Sequence, residues 1–126
     1  MRGLIVRAIL ILVAVLSLPV ARVSAQDTPA DRAAAAQHVY DASLTDLRAG
    51  RATEEEVYRW SVRWMTATIE LGTPGPATLQ HLDRMIALRE VVRTLVASGQ
   101  LAVRAQLACD YYVTEARAFR VRPPAR

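Results

Sequence analysis

Residues 50–65 read GRATEEEVYRWSVRWM, a glycine followed by a threonine, three glutamates and apolar positions Val57, Trp60 and Trp64 at three-then-four spacing. Thr53 with Glu56 three residues on satisfies the capping-box pattern, the hydroxyl accepting from the third amide of a new helix while the glutamate reaches back to the cap's own amide. Gly50 is the permissive residue expected just past the end of a preceding helix. Two residues, Arg51 and Ala52, separate the signals, so the stretch predicts a tight antiparallel helical hairpin.

Working outward, Thr28, Pro29 and Asp31 read as an N-cap, a proline at the first helical position and an acid at the positive end of the dipole. Helix one then runs to Gly50 with Tyr40, Leu44 and Leu47 as its apolar stripe. Helix two ends near Leu71, before the linker GTPGP. Thr73 and Pro74 repeat the opening device, and helix three continues to about Ala97, closed by Gly99. Helix four spans roughly Leu101 to Phe119, its seam Leu101, Ala105, Ala108, Tyr112, Ala116 and Phe119. Three alanines in that seam allow close approach of a neighbour. The two halves share one plan, and no alternating strand pattern of useful length interrupts it. The expected fold is all-α, four helices as two antiparallel Gly-turn hairpins, forming an up-and-down bundle or splayed hairpins.

The first residues, MRGLIVRAILILVAVLSLPVARVSA, place Arg2 and Arg7 before an uncharged run from Ala8 to Ala21, then Val23, Ser24 and Ala25. Such an n-region, h-region and small-residue site predict a secretory signal peptide over 1–25, cleaved after Ala25. Pro19 and Arg22 interrupt the run before the roughly 20 apolar residues that a spanning helix needs. Membrane contact is therefore expected only of the uncleaved precursor. The domain reading is a four-helix unit over 26–119 and a basic, proline-containing tail over 120–126, in an exported protein of the bacterial periplasm or exterior.

Loss of Arg2, Arg7 and Arg22 leaves 13 arginines against 12 acids, a net charge of +1. No basic stripe points to nucleic acid. The single cysteine, Cys109, excludes an internal disulfide. No Cys-x-x-Cys-His, phosphate-binding glycine loop or His-Glu-x-x-His is present. Ser43, Ser61 and Ser98 have no evident base beside them in the sequence, so no catalytic site is expected.

The run Tyr40, Leu44, Leu47, Arg48, Ala49, Gly50, Thr53, Val57, Trp60 and Ala67 resembles the hairpin-tip pattern of TolC-type outer-membrane efflux proteins. Val96, Ala97, Ser98, Gly99, Leu107, Ala108, Tyr112, Glu115 and Ala116 form a weaker second copy without the Ser/Thr cap. The paired pattern is also similar to small exported helical proteins of planctomycete-type bacteria. The chain lacks barrel strands and the length for a tunnel, so efflux does not carry over. The resemblance implies a hairpin whose Gly50 tip and flanking Arg51 touch another protein's helices.

At about 100° per residue, Val57, Trp60, Trp64, Ala67 and Leu71 share one sector of helix two, with Arg59, Arg63 and Glu70 opposite. The arginines are thus expected to turn away from the tryptophans, which belong to the core. Glu54, Glu55 and Glu56 point in different directions and serve the helix start rather than a cation. A second stripe, Tyr58, Val62, Met65 and Ile69, lies beside the first, with Ser61 and Thr68 on the border. It is more apolar surface than one contact requires. These four residues are the expected contact for a second copy or a helical partner.

His81 stands on the apolar line of Met85, Leu88, Val92 and Leu95. Imidazole and thioether at i, i+4 suit copper(I), and borderline ions accept imidazole with carboxylates. This spacing resembles ligand pairs in CnrX-like periplasmic metal sensors, and Cys109 would add a thiolate if helix four brought it near. His38 projects away from its helix's stripe and is expected at the surface. The sequence therefore supports two readings, an exported non-enzymatic protein acting through helix contacts or self-association, and a metal sensor or carrier using His81 and Met85.

Overall fold

The helix starts follow from local hydrogen bonding. In this computed structural model, which describes residues 28–125, the elements are α1 (Pro29–Arg48), α2 (Glu54–Glu70), α3 (Pro74–Ala97) and α4 (Val103–Val121). The expected leader over 1–25 and its cleavage site lie outside the described residues. Thr28 and Asp31 close a full capping box, the Thr28 Oγ1 accepting from the Asp31 amide at 3.1 Å. Thr53 and Glu56 do the same for α2, at 3.2 Å and 3.1 Å. Each box satisfies two amides that a helix start would otherwise leave unpaired.

The third threonine behaves differently. Thr73 stands before Pro74 as expected, yet it makes no side-chain cap. Its hydroxyl turns back and donates to the Thr68 carbonyl at 3.3 Å, closing α2 instead of opening α3. Its ψ of 62° explains the difference, because the capping threonines hold ψ near 156° and 158°.

Gly50 and Gly99 have φ of +74° and +77°, the left-handed region where a Cβ is disfavoured. Around each, two amides return to the helix: Gly50 to Leu47 and Arg51 to Asp46, Gly99 to Val96 and Gln100 to Leu95. This paired 5→2 and 6→1 arrangement is the Schellman motif. The two halves of the chain therefore share one turn geometry.

The hairpins α1–α2 and α3–α4 dock through α2 and α3. The layout is open, since among the described residues α1 and α4 make no contact. Small diagonal contacts join α2 to α4 and α1 to α3. The main core gathers Tyr40, Leu47, Val57, Met85, Leu88 and Val92 with Cys109 and Val113. A smaller cluster of Met65, Ile69 and Ala77 takes in Val62 and Phe119.

Two boundaries shift. Helix α4 begins at Val103, later than Leu101, and continues to Val121, so its last turn includes the first residues assigned to the tail. Its buried line is Ala105, Cys109, Val113 and Ala116. Ala108 and Tyr112, expected at the centre of the seam, flank it.

Candidate functional site

The contact stripe expected on α2 is largely consumed by the chain itself. Met65 is 0% exposed and Ile69 5%, packed with Ala77 from α3 and Phe119 from α4. Tyr58 stacks on Tyr112 of α4, ring centroids 4.1 Å apart with 10° between planes, and its hydroxyl donates to Glu115. Met65, Ile69 and Tyr58 are thus internal contacts, which corrects their assignment to a partner. Helix α3 and the diagonal approach of α4 onto α2 together cover them.

Val62 is half-buried and lines a groove of about 390 Å³ between α1 and α2. Its walls are Ala35, Ala36, Trp60 and Ala67, with Arg32, Arg63 and Glu70 among its lining. The groove exists because α1 sets the small Ala35 and Ala36 against the larger Trp60 and Val62 of α2. Arg32 and Glu70 form an ion pair between the two helices.

Of the two arginines expected to turn away from the tryptophans, Arg59 pairs with Glu55 instead, whereas Arg63 turns toward one. Arg63 lies 4.4 Å from the Trp60 ring centroid, reached from one turn along the same helix. Arg84, arriving from α3, lies 4.1 Å from Trp64 and 5.7 Å from Tyr40. Such placements are favourable cation–π geometry.

Arg84 also organises the buried polar centre. Its Nε donates to Ser61 Oγ at 2.7 Å, its Nη2 donates to the Ser61 carbonyl at 3.1 Å, and Ser61 Oγ lies 2.8 Å from His81 Nδ1. The guanidinium can only donate. Ser61 Oγ therefore accepts from Arg84 and shares a hydrogen bond with His81 Nδ1, whose direction follows the imidazole tautomer. Among the described residues His81 Nε2 is buried without a partner. Burial, aided by the Arg84 charge, lowers the His81 pKa to about 4, so the ring is neutral at physiological pH.

A base does stand beside Ser61, contrary to the sequence expectation. Yet Ser61 and His81 are both 0% exposed, and a nucleophile in that position meets no substrate. The pair ties α2 to α3.

The surroundings of His81 and Met85 do not favour a metal ion. Both are fully buried on one face of α3. Among the described residues no three His, Cys, Asp or Glu side chains converge, and the nearby charge is the cation of Arg84. Cys109 does not reach the site. The α4 residue beside His81 is Phe119, ring centroids 6.0 Å apart, ten residues and about 15 Å along the helix from Cys109. Burial, with Glu54 and Asp110 nearby, raises the Cys109 thiol to about 12, so it stays protonated and unreactive. His38 is exposed, as expected.

At the first hairpin tip, Gly50 and Arg51 are both exposed. Arg51 folds back, its Nε and Nη2 donating to Asp46 Oδ1 at 3.1 Å and 2.7 Å. The tip's cation is answered within its own helix end.

Sequence reasoning missed the outward face of α4. Val103, Leu107 and Tyr111 are 62%, 63% and 62% exposed, and Val121 is 89% exposed. With Thr114 and Ala118, also exposed, they fall within an arc of about 80° at 100° per residue. The fold and its surfaces define an open all-α protein of two docked hairpins. No family model, curated protein or solved structure matches the chain.

Proposed function

We propose that this is an exported, non-enzymatic helical protein that works by contact, presenting the outer face of α4 to another helix. Export rests on the basic, apolar and small-residue order of residues 1–25. The observation that carries the contact reading is the exposed line Val103, Leu107, Tyr111 and Val121. Single exposed apolar residues are ordinary on any surface, whereas a continuous line marks an interaction face. Helix α4 sits at the edge of the layer, touching α3 and a small part of α2, so among the described residues the face has no internal neighbour.

The test is a photocrosslinking residue at Leu107, compared with one at Ala87, an exposed position on α3, in cells producing the protein. Adducts are expected at 107 and not at 87. Equal labelling at both positions, or none at either, would overturn the reading.

A further inference from the structure

We propose that the partner of the α4 face is a second copy of this chain, docked antiparallel across a two-fold axis near Tyr112 and Val113. This rests on the contact reading above and adds the identity of the occupant.

The face is complementary to itself. Turning one α4 over against another sets Leu107 opposite Ala118, Tyr111 opposite Thr114 and Val103 opposite Val121. Leu107–Ala118 and Tyr111–Thr114 share a centre between Tyr112 and Val113, and the centre of Val103–Val121 falls at Tyr112, half a residue away, so one axis generates the first two pairings twice and brings the terminal valines close to register. The large side chains Leu107 and Tyr111 meet small ones, the alternation that lets two helix faces interdigitate. An isologous contact requires this reciprocity, residue i meeting j while j meets i.

On one flank the charges agree. Asp110 and Arg117 are exposed, lie on the same side of the apolar line, and carry opposite signs. In the antiparallel arrangement each Asp110 comes within about two residues of the other copy's Arg117, a gap an arginine stem spans. Among the described residues Asp110 has one weak ion-pair neighbour, Arg89 at 4.0 Å, and its carboxylate is half exposed. A parallel arrangement would instead set Asp110 against Asp110 and Arg117 against Arg117. The N-terminal half of the helix would face its own large side chains.

A helix of 19 residues gives an interface at the small end of the specific range, below about 1,200 Å². Association is therefore expected in the micromolar range.

The experiment uses the chain from Thr28 onward, which carries all four helices and the core. Sedimentation equilibrium should show a monomer–dimer equilibrium that Leu107→Glu weakens at least tenfold, with unchanged helical circular dichroism. Orientation is read from cysteine variants under mild oxidation. Thr114→Cys, close to the axis, should form a disulfide-linked dimer, and Val103→Cys, far from it, should not. Mixing Leu107→Cys with Ala118→Cys should give the crossed dimer.

A chain that stays monomeric at hundreds of micromolar overturns the proposal, as does Val103→Cys linking as readily as Thr114→Cys. If the chain is monomeric while Leu107 still crosslinks to a different protein in cells, self-pairing fails and the contact reading stands. If neither occurs, both fall.

Discussion

Helices α2 and α4 each carry more apolar surface than one packing contact uses, and the fold treats them in opposite ways. Helix α2 lies inside the layer with α1, α3 and part of α4 around it, so Met65 is 0% exposed. Helix α4 lies at the edge, and Leu107 is 63% exposed. On α2 the surplus apolarity is taken up by a second contact within the chain, whereas on α4 it stays at the surface. Position in the layer decides whether the chain itself supplies such a contact.

The largest test of this contrast is a pair of truncations. Met65→Ala on α2 should cost about 3 kcal/mol, the usual range for emptying a fully buried position. Leu107→Ala on α4 should change monomer stability by less than about 0.5 kcal/mol. Urea denaturation at low protein concentration measures both. Similar losses for the two variants would mean that α4 is packed by its own chain.

A second test uses the polar centre that ties α2 to α3. The folded His81 pKa of about 4 lies below the ordinary value near 6.5, so the unfolded chain binds a proton that the folded one refuses. Stability contributed by neutral His81 is fully present above pH 6.5 and is lost as the pH falls toward 4. The slope is about 1.4 kcal/mol per pH unit within that window. Replacing His81 with Gln should flatten the dependence between pH 6.5 and 5 while leaving association through α4 intact. A parent protein equally stable at pH 7 and pH 5 would show that His81 is protonated without loss.

Much of the fold was legible because its signals are local. A capping box is made within four residues, and a Schellman turn within six, so Thr53, Glu56, Gly50 and Gly99 declared the hairpins without reference to the rest of the chain. Thr73 was misread because its cap depends on a ψ angle that the following Pro74 and the end of α2 set together. What the pattern could not supply was the neighbour. Helical periodicity gives the angle at which Tyr58, Met65 and Ile69 point, not which helix arrives there.

The buried polar centre left a usable signal. Ser61 lies on the border between two apolar sectors and is 0% exposed, while Thr68 on the same border, nearer the helix end, is half-buried. The partner of Ser61, His81, was already marked by its apolar line. On α4 the signal was weak because the helix is apolar on most of its circumference. Ala108 and Tyr112 competed with Cys109 and Val113 for the inward line, and the outward line of Val103, Leu107 and Tyr111 passed unnoticed. Arg63 and Trp60 met because a long side chain bends along its own helix, a freedom that Cβ directions alone do not show.

The smallest test concerns how the two helices begin. Helix α2 has its full box at Thr53, whereas α4 starts at Ala102, which has no side-chain cap despite φ of −74° and ψ of 151°. That is the extended geometry in which a serine hydroxyl reaches the second or third amide of the helix. Thr53→Ala should therefore cost about 1 kcal/mol, and Ala102→Ser should gain about 0.5 to 1 kcal/mol. Thermal unfolding of the two single variants and the double variant checks this, and the effects should add, because the sites share no hydrogen-bond partner. If Ala102→Ser is neutral while Thr53→Ala is costly, the start of α4 is fixed by the Gly99 turn and its packing on α3. The edge helix would then depend on its neighbour even for its first turn.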